Sequence, residues 1–589
     1  MTFTFKILTK KSKPMILKMR RFVAYLLAAF AAILLFNACG DNTSTQSENT
    51  PKPPGFEVKM LVGSALHDFC TQAADRFNQQ KPKLQSGEEY YLACEAQGSG
   101  DVVATLVSLA QQFKAGTLPA DSPAFPTLLS VDGEIYQGVL SDRINQLFPG
   151  QNYIPAIPDS PLLANSPMVF MAPATLAPGL RQVDDLFKTL VSAKTHQDID
   201  AASQPLPIHY VQTAPTKSNS GLQTLVAQYA SVSGKRPEQM TDADVKRYTA
   251  DVKAIQEKVT RYGVSTTSLA KAMVQNGTFW ASIGSVYESS VIAANTGLSP
   301  GQPKYEAIYP KATFSSNMRS ILPTAPWVSP QEKAAAEQAI AYLQSNEAQQ
   351  IATNLGLRPG TPGVALGAKF TPEFGVNPQA KYDSYRPPQV EVVEAMLTAW
   401  EQIAKKPSLV VIVVDSSGSM SGDKMPAVQS TLQNYIAALT PNDRIALIDF
   451  DNSVRPPIPI DGTPGGQAQG LEFISSLTVD GGTSLYDASL YARDWLQQNL
   501  RPNAINAVLV LTDGQDTDSS IGLDQLTGDL AKSGIESDQR ISFFTVGYGQ
   551  EGEFDASALE KIAQTTGGYY SKGDPESISR VMENLQLEF

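Results

Sequence analysis

The chain has 589 residues, of which 42% are hydrophobic and 18% are charged, and its formal net charge is −12. This length predicts two or three globular domains. The acidic balance argues against nucleic acid as a partner and against a polybasic membrane patch. A histidine-rich metal centre is not expected, because the only histidines are His67, His196 and His209, in separate segments.

The chain begins with a basic leader and an apolar run. Seven lysines and arginines precede Phe22, and residues 22–36 are 15 consecutive apolar residues. A helix of that length spans about 22 Å, which is short of the roughly 30 Å hydrocarbon core of a bilayer. The pattern therefore predicts a signal peptide over residues 1–39 rather than a permanent membrane span.

A cysteine follows this run. The segment Ala38-Cys39-Gly40 resembles the cleavage box of bacterial lipoproteins, although Asn37 and Phe36 depart from its usual residues. The resemblance implies lipidation of Cys39 and a lipid anchor in the bacterial cell envelope, facing the periplasm or the exterior. An uncleaved anchor is the alternative. Residues 40–55 are polar and predict a disordered tether.

Two further cysteines, Cys70 and Cys94, form an even pair in a chain predicted to be exported. Cys70 lies on the apolar face of a predicted helix, His67 to Gln80, and Cys94 lies in the strand-like segment YYLACEA. We predict a disulfide between them. Two buried free thiols are the alternative.

Residues 56–365 alternate short strands and helices, as an α/β domain does. Strand VKMLVGSA precedes the first helix, and strand YYLACEAQGSGD precedes a predicted helix Val102 to Lys114. These segments, with a late YEAIYP…APWV…LGLRP stretch, resemble periplasmic solute-binding proteins of the two-lobed type II fold. The resemblance implies a small-molecule or peptide ligand in a cleft between lobes, and a possible ABC permease as partner.

Four serines are at the positions of this resemblance that face the cleft: Ser64, Ser99, Ser218 and Ser220. Helix N-termini and hydroxyls can hold such a ligand. Simple helix capping is the alternative for each serine. Glu288 is expected to face the same cleft, where its charge disfavours an anionic ligand unless Lys217 offsets it.

Residues 366–403 predict a linker rich in Gly, Pro and Ala and a boundary helix, Val390 to Lys405, in which Trp400 is a packing residue. Residues 404–589 then alternate apolar strands with helices. The predicted order is strand 408–414, helix 424–439, strand DRIALIDFD, helix 484–499, strand NAVLVLT, strand ISFFTVGYG, helix Asp555 to Thr566, a short strand GGYYSK and helix 575–587. This order predicts a doubly wound, mostly parallel sheet with helices on both faces.

Polar residues follow two of these strands. LVVIVVDSSGSM places Asp415, Ser417 and Ser419 at alternate positions, Thr483 lies in DGGTSLYDA, and Asp513 follows AVLVLT. Oxygen ligands of this kind suit a hard divalent cation. A Ser/Gly turn that caps the next helix is the alternative. Asp451, Asp480 and Asp516 are expected to be solvated loop residues, although Asp480 could help to attract a cation.

The pattern D-x-S-x-S, then Thr, then Asp resembles the metal-ion-dependent adhesion site (MIDAS) of von Willebrand factor A (VWA) domains. The resemblance implies Mg²⁺ or Mn²⁺ at Asp415, Ser417, Ser419, Thr483 and Asp513, with a carboxylate of a protein partner completing the shell. Together these patterns predict a non-enzymatic surface lipoprotein that binds one partner through the cation and a second ligand through the solute-binding-like domain. The alternatives are a transporter's substrate-binding component with a VWA docking module, and a metal-dependent hydrolase, which a hydroxyl-rich shell without histidine disfavours.

Overall fold

The computed structural model describes residues 53–298, 301–440, 442–537, 539–550 and 552–589. The predictions for the signal peptide, for Cys39 and for nearly all of the tether lie outside the described residues. Within the described ranges, no helix is both long enough and apolar enough to cross a membrane.

The amino-terminal part is built on short strands, as the alternation of apolar runs and polar turns predicts. In chain order the strands are β1 (Phe56–Gly63), β2 (Tyr90–Gln97), β3 (Leu128–Ser130), β4 (Leu162–Asn165), β5 (Met168–Pro173), β6 (Tyr210–Thr213), β7 (Val259–Gly263), β8 (Ile283–Tyr287), β9 (Tyr305–Ile308), β10 (Ala312–Thr313), β11 (Asn317–Arg319), β12 (Arg358–Pro359) and β13 (Asp383–Ser384).

These strands form two lobes. The first lobe contains the parallel sheet β2-β1-β3, and the second lobe contains the mixed sheet β7-β6-β8-β5-β9, in which β5 runs antiparallel to both of its neighbours. A third, small antiparallel sheet has the order β11-β4-β12, and its strand β4 lies in the sequence between β3 of the first lobe and β5 of the second. This architecture agrees with the predicted two-lobed fold.

Helices cover both lobes and bury their apolar faces against the sheets. They are His67–Gln79, Ser99–Lys114, Glu134–Leu147, Ala177–Arg181, Leu186–Leu190, His196–Ile199, Asn219–Ser233, Asp242–Gln256, Thr266–Asn276, Glu288–Asn295, Pro330–Leu343, Asn346–Asn354 and Val390–Ala399. The second helix begins at Ser99, three residues earlier than predicted, because Gly98 has extended backbone angles and the helical conformation starts directly after it.

The carboxyl-terminal part contains a single six-stranded sheet in the order β16-β15-β14-β17-β18-β19. Its strands are β14 (Ser408–Asp415), β15 (Arg444–Phe450), β16 (Ile458–Asp461), β17 (Ile505–Thr512), β18 (Ser542–Tyr548) and β19 (Tyr570–Gly573), and its helices are Lys424–Ala437, Pro464–Ser476, Leu485–Gln498, Leu523–Leu530, Ala556–Thr565 and Ile578–Leu587. Within the described strands of this six-stranded sheet, only the β15–β16 pairing is antiparallel, as expected of a doubly wound, mostly parallel sheet.

Strand β14 is at the centre of this sheet, and all eight of its residues are buried. Helices cover both faces, so every position along the strand has to be apolar or hydrogen-bonded, which explains the uninterrupted aliphatic run from Leu409 to Val414. Each such aliphatic side chain contributes about 1.5–3 kcal/mol on burial. This rigid central strand fixes the position of Asp415 at its carboxyl end.

The boundary helix joins the two parts. It was predicted as one continuous helix to Lys405, but the α-helix ends at Ala399 and a π-helical turn, Trp400–Ala404, follows. Trp400 is the first residue of this wider turn, and its side chain points into the protein. It is 2% exposed, and its Nε1 donates a hydrogen bond to Gln256 Oε1 at 3.1 Å. Trp400 therefore packs at the boundary, as predicted.

Cys70 and Cys94 are joined by a disulfide, with their Cα atoms 6.0 Å apart. It ties the first helix to strand β2, its neighbour in space. In the chain-entropy account, a crosslink that closes a loop of 24 residues stabilises the fold mainly by restricting the unfolded chain.

We expect replacement of both cysteines by alanine to lower the free energy of unfolding by about 3 kcal/mol, measured by urea denaturation. Thiol labelling of the unfolded, unreduced wild-type protein should find neither cysteine reactive. Two labelled thiols would contradict the prediction.

Candidate functional site

The carboxyl ends of β14 and β17 place two acids at one edge of the sheet. The two strands are parallel neighbours, with Val414 opposite Leu511, so Asp415 ends one strand and Asp513 follows the other. Both carboxylates are almost fully buried. Open α/β folds bind their ligands at this edge.

Serine hydroxyls connect the two acids. Asp415 Oδ1 accepts a hydrogen bond from the Ser417 amide at 2.8 Å. The Ser417 and Ser419 hydroxyls are 2.9 Å apart, and Ser419 Oγ donates to Asp513 Oδ1 at 2.6 Å. Ser417 is buried whereas Ser419 is exposed, so the cluster opens to solvent at Ser419.

Thr483 comes to the same point from a loop. The Gly418 amide donates to the Gly481 carbonyl at 3.0 Å, and the Thr483 amide donates to Thr517 Oγ1 at 2.9 Å. Gly514 lies against this group, because a Cβ added there would be 3.1 Å from Thr483 Oγ1 and 3.6 Å from Ser419 Oγ. Loop and strand ends thus bring the predicted residues together. We call Asp415, Ser417, Ser419, Thr483 and Asp513 the cation site.

A lysine also reaches the cation site, which the sequence analysis did not anticipate. Lys424 Nζ is 2.6 Å from Asp513 Oδ2 and 2.9 Å from Glu553 Oε2. Burial opposes its charge, but the bonds to both carboxylates raise the pKa of Lys424 above its ordinary value. The sequence feature that could have indicated Lys424 is its position in the first turn of the helix that follows Ser419.

The electrostatics of the site favour an added positive charge. Burial raises the pKa of Asp415 to about 6, and the charge of Asp513 acts in the same direction, although hydrogen bonds from Ser417 and Thr512 lower it. Two acids held this close repel each other when both are ionised. A cation bound between them would relieve that repulsion.

The donor atoms fit a hard divalent cation. Every donor in the cation site is a carboxylate or hydroxyl oxygen, which is the ligand type of Mg²⁺ and Mn²⁺. Within the described ranges, no cluster of three or more His, Cys, Asp or Glu side chains suited to a metal occurs. A cation here would therefore depend on Ser417, Ser419 and Thr483 as much as on the two acids, and these three hydroxyls would add no further negative charge around it.

The neighbouring acids differ from expectation. Asp451 was expected to be solvated but is 7% exposed, because it bonds the guanidinium of Arg455 and the amide of Ser453 at 2.8 Å. Asp516 is half-buried and accepts from the Tyr486 amide at 3.2 Å. Asp480 is exposed, as predicted, and its carboxylate accepts a hydrogen bond from the adjacent Gly481 amide at 2.8 Å.

The four cleft serines are in different environments. Ser64 is exposed in the turn after β1, whereas Ser99 is 1% exposed and accepts from the Asp132 amide at 3.1 Å. The Ser218 and Ser220 hydroxyls are 3.1 Å apart, and Ser220 Oγ is 2.6 Å from Thr213 Oγ1 and from Thr266 Oγ1. In the described structure, none of the four hydroxyls caps the helix that follows it or begins at it.

Lys217 does not offset the charge of Glu288 in the described structure. Glu288 is fully buried and is neutralised by Arg358, whose Nε and NH2 atoms are 2.7 and 2.9 Å from its carboxylate. Lys217 Nζ instead pairs with Asp101 at 2.5 Å. The buried acid near the interface of the lobes that sequence reasoning missed is Asp132, which follows β3. Like Asp415, it lies at the carboxyl end of an apolar strand in a parallel sheet, two residues beyond Ser130.

Two family profiles match the chain. The profile described as bacterial extracellular solute-binding protein matches residues 72–381, just over half of the chain, and the von Willebrand factor type A domain profile matches residues 410–584. The second match contains all five residues of the cation site.

Individual proteins resemble the chain over shorter regions. Inter-alpha-trypsin inhibitor heavy chain H4 of Homo sapiens is 30% identical over 28% of this chain and 18% of its own length, and the uncharacterized protein YfbK of Escherichia coli strain K12 is 27% identical over 31% of each. The chain therefore spans less than a third of these curated relatives. Among solved structures, the sulfate-binding protein SubI from Mycobacterium tuberculosis H37Rv aligns over 59% of this chain and 97% of its own, at 16% identity and a TM-score of 0.37.

Proposed function

Because the chain belongs to the family of bacterial extracellular solute-binding proteins, we propose that it is a non-enzymatic cell-envelope protein that uses its von Willebrand factor type A domain to bind a protein partner. The partner binds through a Mg²⁺ or Mn²⁺ ion held at the cation site. The observation that carries the proposal is the convergence of Asp415, Ser417, Ser419, Thr483 and Asp513 at one sheet edge that opens to solvent at Ser419.

The donor set explains why adhesion is favoured over catalysis. The three neutral hydroxyls add no negative charge to that of Asp415 and Asp513, so a bound cation can still accept a carboxylate from outside. Enzymes that use a metal to make a hydroxide nucleophile more often present histidines around it. The hydroxyl and carboxylate ligands proposed here suit a bridge between two proteins, with the partner's Asp or Glu as the missing ligand.

The proposed location follows from the leader. Lipidation of Cys39 would hold the protein at the membrane, with residues 40–55 as a tether and both domains, residues 56–365 and 404–589, facing the periplasm or the exterior. Mass spectrometry of the mature amino terminus tests this part of the proposal. An unmodified terminus at another residue would exclude lipidation at Cys39.

The partner is best sought by capture from membranes. We expect the full chain to retain a partner from solubilised envelope in Mg²⁺ and to release it in chelator. A Mg²⁺ concentration of about 5 mM should nearly saturate a weak site built from oxygen ligands. Capture with the same yield in chelator would refute the cation bridge. An unrelated solute-binding protein of the same charge serves as the control for non-specific retention.

A second candidate function is that of a transporter's substrate-binding component, in which the cation site docks or regulates. The match to the solute-binding family over residues 72–381 favours it. Its ligand, a small molecule or peptide, would enter the cleft near Ser64, Ser99, Ser218 and Ser220. Uptake assays with and without the protein test this candidate, because loss of ligand-dependent uptake on deletion is its defining result.

A further inference from the structure

The two edges of the carboxyl-terminal sheet differ in charge. Five loops lie at the edge that carries the cation site: residues 416–423, 451–457, 477–484, 513–522 and 549–555. They contain nine acidic residues and one basic residue, Arg455. We call this edge the acidic edge. The loops at the opposite edge contain five basic and three acidic residues, within residues 405–407, 438–443, 499–504, 531–541 and 566–569. The acidity is therefore local, and the net charge of −12 of the whole chain does not account for it.

The second lobe covers part of the opposite, basic edge. The Arg540 guanidinium donates to the carbonyls of Phe279 and Trp280. Lys406 Nζ donates to the Val259 carbonyl at 2.8 Å. Strand β14, which connects the two edges, is eight residues long, so the acidic edge begins about 25 Å from this contact. The acidic edge thus lies at the end of the strands that is far from the second lobe.

Exposed carboxylates border the cation site on the acidic edge. The Asp480 amide donates to the Ser416 carbonyl at 3.0 Å, and Asp518 Oδ2 accepts from the Thr483 amide at 3.2 Å. Two further acids border the site at Lys424, which directly follows one of them and contacts the other. All four carboxylates belong to exposed residues. We call them the acidic rim: Asp423, Asp480, Asp518 and Glu553.

The nearby basic side chains do not neutralise the acidic rim. Lys424 Nζ lies 2.6 Å from Asp513 Oδ2 and 2.9 Å from Glu553 Oε2. Arg455 NH2 lies 2.5 Å from Asp451 Oδ2. Both cations are already paired with acids, so the other three carboxylates of the rim keep their negative charge unbalanced by them.

One oxygen of the cation site is also without a partner in the protein. Thr483 is 4% exposed, and within the described residues its amide is hydrogen-bonded whereas its hydroxyl is not. Buried polar groups are normally hydrogen-bonded, so this hydroxyl indicates a ligand from outside the chain. The observation does not depend on the charges of the rim, and it places the ligand at the centre of the acidic edge.

The charges then restrict which partner can approach. A divalent cation would balance Asp415 and Asp513 and would leave the acidic rim negative. Exposed charges are largely screened beyond about 8 Å at physiological ionic strength, so the rim acts on the groups that lie next to the bridging carboxylate. Acidic groups there would be repelled, and basic groups would be attracted.

We propose that the acidic edge binds a basic protein surface, in which the one acid that reaches the cation is bordered by lysine or arginine side chains. The inference rests on the proposed function, because the cation bridge supplies the central contact, and it adds the charge of the partner. The basic side chains pair with the acidic rim, which fixes the orientation of the partner and accelerates its association.

Synthetic peptides with one central aspartate test the proposal on the full chain. The aspartate is flanked on both sides by lysine, by serine or by glutamate, and binding is measured by fluorescence anisotropy in about 5 mM Mg²⁺. We expect the lysine-flanked peptide to bind at least about tenfold more tightly than the serine-flanked one, because several modest ion pairs add up. The glutamate-flanked peptide should bind most weakly. Equal affinities of the lysine- and serine-flanked peptides, or no binding by either, would overturn the proposal.

Asp423→Asn combined with Asp480→Asn tests the acidic rim itself. Neither residue belongs to the cation site, and the double variant should weaken binding of the lysine-flanked peptide by about three- to tenfold. Asp75→Asn combined with Glu337→Gln is the matched control, because it removes the same charge from exposed positions on helices of the amino-terminal part. The control should leave the affinity unchanged. Equal losses in the two double variants would assign the attraction to net charge and overturn the proposal.

The same peptides separate this inference from the proposed function. Replacing the central aspartate of the lysine-flanked peptide with asparagine, or adding chelator, should abolish its binding. Binding that persists in both cases would refute the cation bridge, and with it this mode of binding. Binding that requires Mg²⁺ but is equally tight for all three peptides would leave the bridge standing and overturn only the basic partner.

Discussion

Replacing Asp415 with alanine is expected to raise the dissociation constant for Mg²⁺ by at least about 100-fold, since loss of a residue that only supports a metal ligand already costs about 10–100-fold. The carboxyl-terminal sheet should remain folded. Asp415 is buried beside Asp513, and its raised pKa indicates that the fold resists its ionisation. Replacing Asp415 removes its repulsion with Asp513. In the absence of a cation, the free energy of unfolding of the variant should therefore be at least as large as that of the wild type.

Isothermal titration with Mg²⁺ and Mn²⁺ measures this effect. Asp480→Ala is the matched control, because it removes an exposed acid from the same edge, whose carboxylate accepts a hydrogen bond from the Gly481 amide. Its affinity should stay within about threefold of wild type, as expected for a screened surface charge. Equal cation affinity in wild type and Asp415→Ala would refute the assignment of the cation site.

Lys424→Met should shift the same titration in the opposite direction. The ammonium of Lys424 contacts Asp513 at 2.6 Å and therefore competes with a cation for that carboxylate. Two unit charges about 4 Å apart interact by about 4 kcal/mol near a protein surface, so a gain of about tenfold in affinity, or about 1.4 kcal/mol, is a modest expectation. An unchanged or weaker affinity would mean that Lys424 supports the cation site instead.

Replacing Arg261 with methionine is expected to destabilise the contact between β7 and the end of the chain by about 3–5 kcal/mol, the usual cost of removing one partner of a buried ion pair. Arg261 NH2 donates to the Gly567 carbonyl at 2.9 Å, and Nε is 3.6 Å from Glu588 Oε2. The guanidinium also stacks on Trp280 and Phe544, at 5.1 and 4.6 Å from the ring centroids.

The loss should depend on pH. Burial raises the pKa of Glu588 to about 7, above its ordinary value of 4.5, although Arg261 and Tyr569 lower it. A group with a raised folded-state pKa binds more protons in the folded state, so stability falls as pH rises from about 4.5 through 7. Without Arg261 the carboxylate has no cation beside it. The deficit of the variant should therefore be larger at pH 8 than at pH 5.

Urea unfolding at both pH values measures the deficit. Arg261→Met combined with Glu588→Gln should recover part of the loss, because no buried charge is left unpaired. Arg76→Met is the control, since its pair with Glu347 is 3.8 Å long and Arg76 is 56% exposed, and it should change stability by less than about 1 kcal/mol. A pH-independent deficit would assign the effect of Arg261 to packing alone.

Local patterns predicted most of the elements, and the resemblance to VWA domains supplied the residues of the cation site. The run of eight buried residues from Ser408 to Asp415 specifies a central strand, and helices predicted over 424–439 and 484–499 were found at Lys424–Ala437 and Leu485–Gln498. Side-chain periodicity carries this information, because a strand buried on both faces has to be apolar throughout. Parallel strands then deliver their following residues to one edge, which is why Asp415 and Asp513 could be paired in advance.

The tertiary structure decided which distant groups meet. Arg261 and Gly567 are 306 residues apart, Lys424 was predicted only as a helix residue, and Asp132 could not be connected with Ala65 and Asn219 from sequence. The edge strand β16 was also missed, because Ile458–Asp461 is short and contains a proline. A residue's own neighbours set its helix or strand preference. The partner of a buried charge is set by how whole elements pack, since burial makes an unpaired charge costly wherever along the chain its partner lies.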